Sequence, residues 1–185
     1  MARISLDPPN TLFTRLARAY SRRRYGTDID PGLAMGHNPR VLGSYAIFET
    51  LVERWHSLDP RLGHLAVMAV AHRLGCSWCT DFGFWQSYAA GVPAELLRQV
   101  PDWRRSSAFS DTERAVLAYA EAICGEEDEV SEEMVADLAH RLGKPALVEL
   151  TMLAALENLR SRFNRSLGLT RQGFTDRCPV PGAVQ

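Results

Sequence analysis

The sequence predicts an all-α protein, on three observations. No stretch alternates apolar and polar residues with period two. The segments between Gly and Pro breakers are long enough for helices, and residues that cap helices stand at their starts.

The elements follow in order. Asn10 is expected to cap a helix reaching about Arg24 and closed by Gly26. Its apolar side is Leu12, Phe13, Leu16, Ala19 and Tyr20, and its basic side carries Arg15, Arg18, Arg22 and Arg23. A linker rich in Gly, Asp and Pro runs from Gly26 to His37. Asn38-Pro39 then opens a helix to about Ser57, and Asp59-Pro60 opens a third that ends near Gly75.

A fourth segment carries Cys76 to Ala90 and stops at Gly91; Pro93 opens a short one to about Gln99. Pro101 to Phe109 reads as a loop anchored by Trp103. Ser110 and Glu113 form a capping box for a helix to about Cys124. Ser131 caps the next, which ends at Gly143. Pro145 opens a long last helix to about Leu167, closed by Gly168. The tail, Thr170 to Gln185, is polar and expected to be loose. The chain thus divides into an N-terminal helix and linker (1–37), a helical domain (38–169) and a tail (170–185).

Composition removes several function classes. A length of 185 residues, 46% hydrophobic and 23% charged, fits one soluble domain. A net charge of −1 gives no global field toward nucleic acid or anionic lipid. The longest apolar run, Leu65 to Ala71, is too short to span a membrane, and Met1 to Asn10 does not read as a signal peptide. A cytoplasmic location is expected. No phosphate loop, Ser-His-Asp arrangement or dinucleotide fingerprint is present and no cofactor is predicted; no metal is predicted either, because no second Cys-x-x-Cys or His-rich pair completes a ligand set.

The informative stretch is His72-Arg73-Leu74-Gly75-Cys76-Ser77-Trp78-Cys79-Thr80-Asp81. A Cys-x-x-Cys at a helix start places the first thiol at free backbone N–H groups, which favour its thiolate. The spacing lets both sulfurs meet over one turn. A thiolate that attacks a peroxide becomes a sulfenic acid, and a neighbouring thiol resolves it to a disulfide. The pair also admits other readings: two buried small apolar residues, or a zinc site in which His72 joins the cysteines and His64 swings in as the fourth ligand.

These residues and their surroundings resemble the AhpD-like alkylhydroperoxidases of the carboxymuconolactone decarboxylase group, over roughly Asn38 to Leu169. The resemblance is carried by Asn38-Pro39-Arg40, Leu58-Asp59-Pro60-Arg61-Leu62, Cys76-Ser77-Trp78-Cys79, Ala89-Ala90-Gly91, the stretch Ser110 to Ala120, and Asn158 with Gly168. It implies a single-domain helical bundle assembled into trimers or hexamers. It also implies a peroxidase whose cysteines are oxidised by a hydroperoxide and reset by a dithiol such as a lipoyl group. Cys79 matches the attacking cysteine and Cys76 the resolving one; the helix-dipole argument alone would make Cys76 the more acidic thiol.

Two positions depart from the family. Its proton relay uses a glutamate twelve residues before the first cysteine and a histidine four after the second, where this chain has His64 and Gly83. His64 is the expected substitute base, with His72 the other candidate. Phe82, Phe84 and Trp85 read as core from their helical spacing; the other reading makes them walls of a space that Gly83 opens beside Cys79. Glu149, Glu157 and Asn158 interrupt the last helix; where buried they need partners, which Arg160 or Arg162 could supply across a subunit contact. Cys124 and Cys178 have no partner nearby in sequence.

The functional expectation is a thiol-dependent hydroperoxide reductase with Cys79, Cys76 and His64 at its centre. The alternative is a non-catalytic, oligomeric member that binds a ligand or partner and uses its cysteines for redox sensing. A lactone decarboxylase ranks last, because that chemistry does not call for a cysteine pair.

Overall fold

The computed structural model describes residues 2–125 and 129–178, and all regular structure among them is helical. Nine α-helices follow in order: α1 (Leu12–Tyr25), α2 (Asp30–Met35), α3 (Pro39–Val52), α4 (Pro60–Arg73), α5 (Ser77–Ala89), α6 (Ala94–Gln99), α7 (Asp111–Ala122), α8 (Glu132–Leu142) and α9 (Lys144–Ser166). None is long and apolar enough to cross a membrane.

The cap positions came from chemistry local to each start. Asn38, Asp59, Ser110 and Ser131 all cap with their side chains, and Ser110 and Glu113 close the expected capping box. Thr11, not Asn10, caps α1, because its hydroxyl reaches the Thr14 N–H. The expected linker contains the short helix α2, started by Pro31 in its first turn. The second long helix stops at Val52, five residues before the expected end.

The chain divides into two compact units. One holds the residues up to Trp55 together with Asn164–Thr170. In it Asp28 receives both Arg18 and Arg22 at 2.9 and 2.8 Å, which pins the turn after α1. The Arg3 N–H donates to the Leu167 carbonyl at 2.7 Å. The expected apolar side of α1 is not buried within this chain: Leu12, Leu16 and Tyr20 are all exposed. An open cleft of about 550 Å³ lies between α1, α2 and α3, bordered by Phe13, Ala17, Tyr20, Met35, Leu42 and Tyr45.

The other unit holds His56–Phe163 and the described residues from Arg171 onward. Its core gathers Leu65, Met68, Val70, Leu97, Val116, Leu117, Leu138 and Leu150, all nearly sealed from solvent. α4 is central and packs on α5 and on α7. Met68 sits opposite Gly83, and His64 pairs with Ser87 four residues further along, so α4 and α5 run antiparallel. Trp103 is buried and donates to Glu121, as its role of loop anchor predicted.

Candidate functional site

The α4–α5 turn positions the cysteines. Gly75 takes φ +64, a conformation that costs glycine little, and the reversal lets the Cys76 N–H donate to the Ala71 carbonyl at 3.0 Å. Cys76 is thereby the N-cap of α5, and its sulfur accepts the Cys79 N–H at 3.2 Å. Cys76 and Cys79 are joined as a disulfide, with Cα atoms 5.2 Å apart. Cys76 is completely enclosed, whereas Cys79 keeps 5% of its surface exposed.

A third group meets this pair from the far end of the chain. The Ser161 hydroxyl on α9 lies 3.4 Å from the Cys79 sulfur and 3.1 Å from Oε1 of Glu157, one helical turn earlier. The Arg160 guanidinium stands 3.4 Å from the other carboxylate oxygen. Ser161 and Glu157 are 0% and 3% exposed, so this contact is sealed from bulk water. Glu157 therefore takes its arginine from its own helix, where the sequence pointed to a subunit contact. Glu149 instead accepts the Ser57 N–H at 2.7 Å, and Asn158 donates to the Ala154 carbonyl at 3.1 Å.

Sequence reasoning flagged Glu157 but missed Ser161. The available signal was a glutamate and a serine four residues apart, hence on one face of a helix rich in leucine and alanine.

The structure sets His64 of α4 against Ser87 of α5. Its Nδ1 pairs with the Ser87 hydroxyl at 3.1 Å. Ser87 is two turns beyond Cys79 on α5, about 12 Å of helix rise. His72 comes level with Cys79 when the α4–α5 register is carried back toward the turn. Both histidines are half-buried, and burial pushes both below the ordinary imidazole range.

Gly83 does not open a space. A β-carbon there would meet the Met68 Sδ at 2.9 Å, so methionine fills the position that the family's histidine would need. The aromatics behave partly as core. Phe84 is buried, but Trp78, Phe82 and Trp85 gather around Phe174, with ring centroids 5.0 to 6.4 Å from it.

This gathering shows that the first part of the tail is not loose. Asp81 accepts the backbone N–H groups of Gln172, Phe174 and Thr175 at 2.8, 3.0 and 2.9 Å. Trp78 adds a bond from its indole N–H to the Gln172 side chain at 2.8 Å. Residues 172–175 are thus held against α5, and Phe174 is completely buried. The tail beyond Cys178 lies outside the described residues.

The two other cysteines have a different character. Burial pushes the Cys124 and Cys178 thiols above their ordinary range, which disfavours their nucleophilic forms. Among the described residues, no three His, Cys, Asp or Glu side chains gather as a metal site would need.

The carboxymuconolactone decarboxylase family pattern matches residues 43–122, which include the cysteine pair. The uncharacterized protein YnjA of Escherichia coli K12 is 34% identical over 161 residues, 86% of this chain and 87% of YnjA. This chain belongs to the carboxymuconolactone decarboxylase family. Solved structures show how widely the fold of this family member is shared. The debrominase Bmp8, solved as a cysteine-to-alanine variant with 2,3,4-tribromopyrrole, superposes with TM-score 0.81 at 16% identity, covering 95% of this chain and 96% of Bmp8. A peroxidase-related protein from Ralstonia eutropha JMP134, described as an alkylhydroperoxidase AhpD core, gives 0.82 at 17% identity, with coverage of 97% and 98%. A peroxidase-related protein from Silicibacter sp. TM1040 gives 0.82 at 13% identity, with 94% of each chain covered. At these identities the likeness establishes the AhpD-like helical fold of this family member.

Proposed function

We propose that this family member is a thiol-dependent hydroperoxide reductase. The observation that carries the reading is the closed Cys76–Cys79 pair at the start of α5. In the reduced protein, the Cys79 thiolate attacks the outer oxygen of a hydroperoxide, giving a sulfenic acid and an alcohol. The Cys76 thiol then displaces water and closes the disulfide. An external dithiol, of lipoyl type by family resemblance, returns both thiols and leaves as its own disulfide.

Two features support this division of labour. Cys79 retains the exposed surface of the pair, which suits the sulfur that meets substrate. Cys76, at the helix N-terminus and near the Cys79 N–H, is the sulfur best stabilised as a departing thiolate when a reductant attacks Cys79.

The test is single-turnover oxidation of the reduced protein by tert-butyl hydroperoxide, with free thiols counted before and after. Loss of two thiols per chain, abolished by Cys79→Ser, is expected. Oxidation no faster than that of a free thiol would sink the reading.

Self-association belongs to the same proposal. Val148, Met152 and Leu159 form an exposed apolar line on α9, and Leu12 and Leu16 stand exposed on α1. The second reading is a ligand-binding member with redox-sensing cysteines. The cleft between α1, α2 and α3 favours it, since its volume suits a small apolar molecule. Failure of the oxidation experiment would bring that reading forward.

A further inference from the structure

We propose that Glu157, acting through the Ser161 hydroxyl, accepts the Cys79 proton when the reduced pair is oxidised, filling the role of the absent glutamate–histidine relay. This rests on the reading of Cys79 as the sulfur that attacks.

The geometry supports each link. Ser161 carries one proton and two acceptor lone pairs. Its oxygen lies between two acceptors, Glu157 Oε1 at 3.1 Å and Cys79 Sγ at 3.4 Å, and it can donate to one of them at a time. A carboxylate is the stronger acceptor, so the hydroxyl proton belongs with Glu157 and a lone pair is left facing the sulfur. In the disulfide, that lone pair has no donor on Cys79. Reduction supplies one, the S–H, at the right place.

The transfer then balances. The Cys79 proton moves to the Ser161 oxygen as the Ser161 proton moves to Glu157. The sulfur is left as a thiolate, the serine unchanged and the glutamate neutral. Attack on the hydroperoxide breaks the O–O bond and expels an alkoxide, which takes up one proton, so Glu157 returns to its carboxylate by that route. Overall, two thiols and one hydroperoxide become one disulfide, one alcohol and one water.

The surroundings fit a resting carboxylate. Arg160 holds its second oxygen, and apolar neighbours on the same helix, Leu150, Ala154 and Leu156, are buried. Such a charge is costly to bury and contributes little net stability, so its position against the reacting sulfur calls for a chemical role. Among the described residues, Arg160 on α9 pairs with the carboxylate, Cys79 on α5 meets the serine, and the α4–α5 register sets His72 level with Cys79.

The experiment uses the full chain carrying Cys76→Ala, so that Cys79 reacts alone. Reduced protein is oxidised with tert-butyl hydroperoxide and, separately, alkylated with iodoacetamide from about pH 5.5 to about pH 9, a window spanning the ordinary imidazole and thiol ranges. Label at Cys79 is read by mass spectrometry, because Cys124 and Cys178 also carry thiols. Ser161→Ala and Glu157→Gln are each expected to slow the Cys79 reactions about 10- to 100-fold near neutral pH. Their rates should then climb about tenfold per pH unit toward the thiol's own pKa. Ser161→Thr, which keeps the hydroxyl, should retain most of the rate.

The sign separates a relay from a bystander charge. If Glu157 were only a neighbouring negative charge, neutralising it would favour the thiolate and speed alkylation. Faster or unchanged alkylation in Glu157→Gln and Ser161→Ala would overturn the proposal. Circular dichroism checks the variants, and if Glu157→Gln does not fold, the Ser161→Ala and Ser161→Thr pair decides. Alkylation that still depends on Ser161, with peroxide oxidation no faster than a free thiol, would uphold the relay and reject the peroxide as substrate.

Discussion

Met68 Sδ stands 2.9 Å from the place that a β-carbon on Gly83 would take, inside the antiparallel contact of α4 and α5. The family's relay histidine would project from this position. Its absence therefore goes together with a methionine that is 1% exposed and packed into the gap. Gly83→His should destabilise the protein by about 1–3 kcal/mol through overpacking. Met68→Ala in the same chain should recover part of that loss, since the deleted thioether leaves room for the imidazole. Gly83→Ala should be near neutral, because the helix gains up to about 1 kcal/mol and a flexible methionine yields. Urea midpoints at constant m-value measure all three. Additive effects of the first two substitutions would show that the residues do not share this space.

The two cysteines should behave differently when each is removed. Cys76→Ser is expected to react once with hydroperoxide and stop as a sulfenic acid on Cys79, trapped by dimedone and located by mass spectrometry. Cys79→Ser should give no such adduct on the pair. A sulfenic acid found on Cys76 in Cys79→Ser, formed at the native rate, would reverse the assigned roles and favour the thiol at the helix N-terminus.

Asp81 controls whether the tail stays docked on α5. Burial by itself would raise its carboxyl, but the N–H groups of Thr175, Phe174 and Gln172 and the Thr175 hydroxyl together outweigh burial and hold it below the ordinary carboxylate range. Because the folded value is depressed, the stabilisation is fully present above the unfolded value of about 3.9 and is lost as pH falls through the folded value. Asp81→Ala should cost about 2 kcal/mol at neutral pH, the scale of hydrogen bonds to a charged group. It should also speed tryptic cleavage after Arg171 and Arg177. Cleavage at the native rate would mean that the aromatic contacts of Phe174 hold the tail without the carboxylate.

The exposed apolar line on α9 predicts an assembly that a charge would break. Met152→Glu should lower the mass found by light scattering while leaving the circular dichroism spectrum unchanged. A native chain that already runs as a monomer would remove self-association from the proposed function.

The sequence by itself determined the helical class, most helix starts and the cysteine pair. Each of these depends on chemistry within a few residues: Asn38 before Pro39, Asp59 before Pro60, Ser110 with Glu113, and Cys76 with Cys79 over one turn. Where a local choice was finely balanced, as between Asn10 and Thr11, the reading missed by one residue, and a six-residue helix was lost among Gly, Asp and Pro. Only the tertiary structure decided what surrounds the sulfurs. Ser161 is 82 residues from Cys79, and the tail amides bound by Asp81 are 91 to 94 residues away from it. Periodicity shows which face of a helix a residue occupies, but not which distant helix that face meets. For that reason His64 read as the base beside the pair, while the packing of α4 on α5 turned it to Ser87 and left α9 to bring a serine and a carboxylate to Cys79.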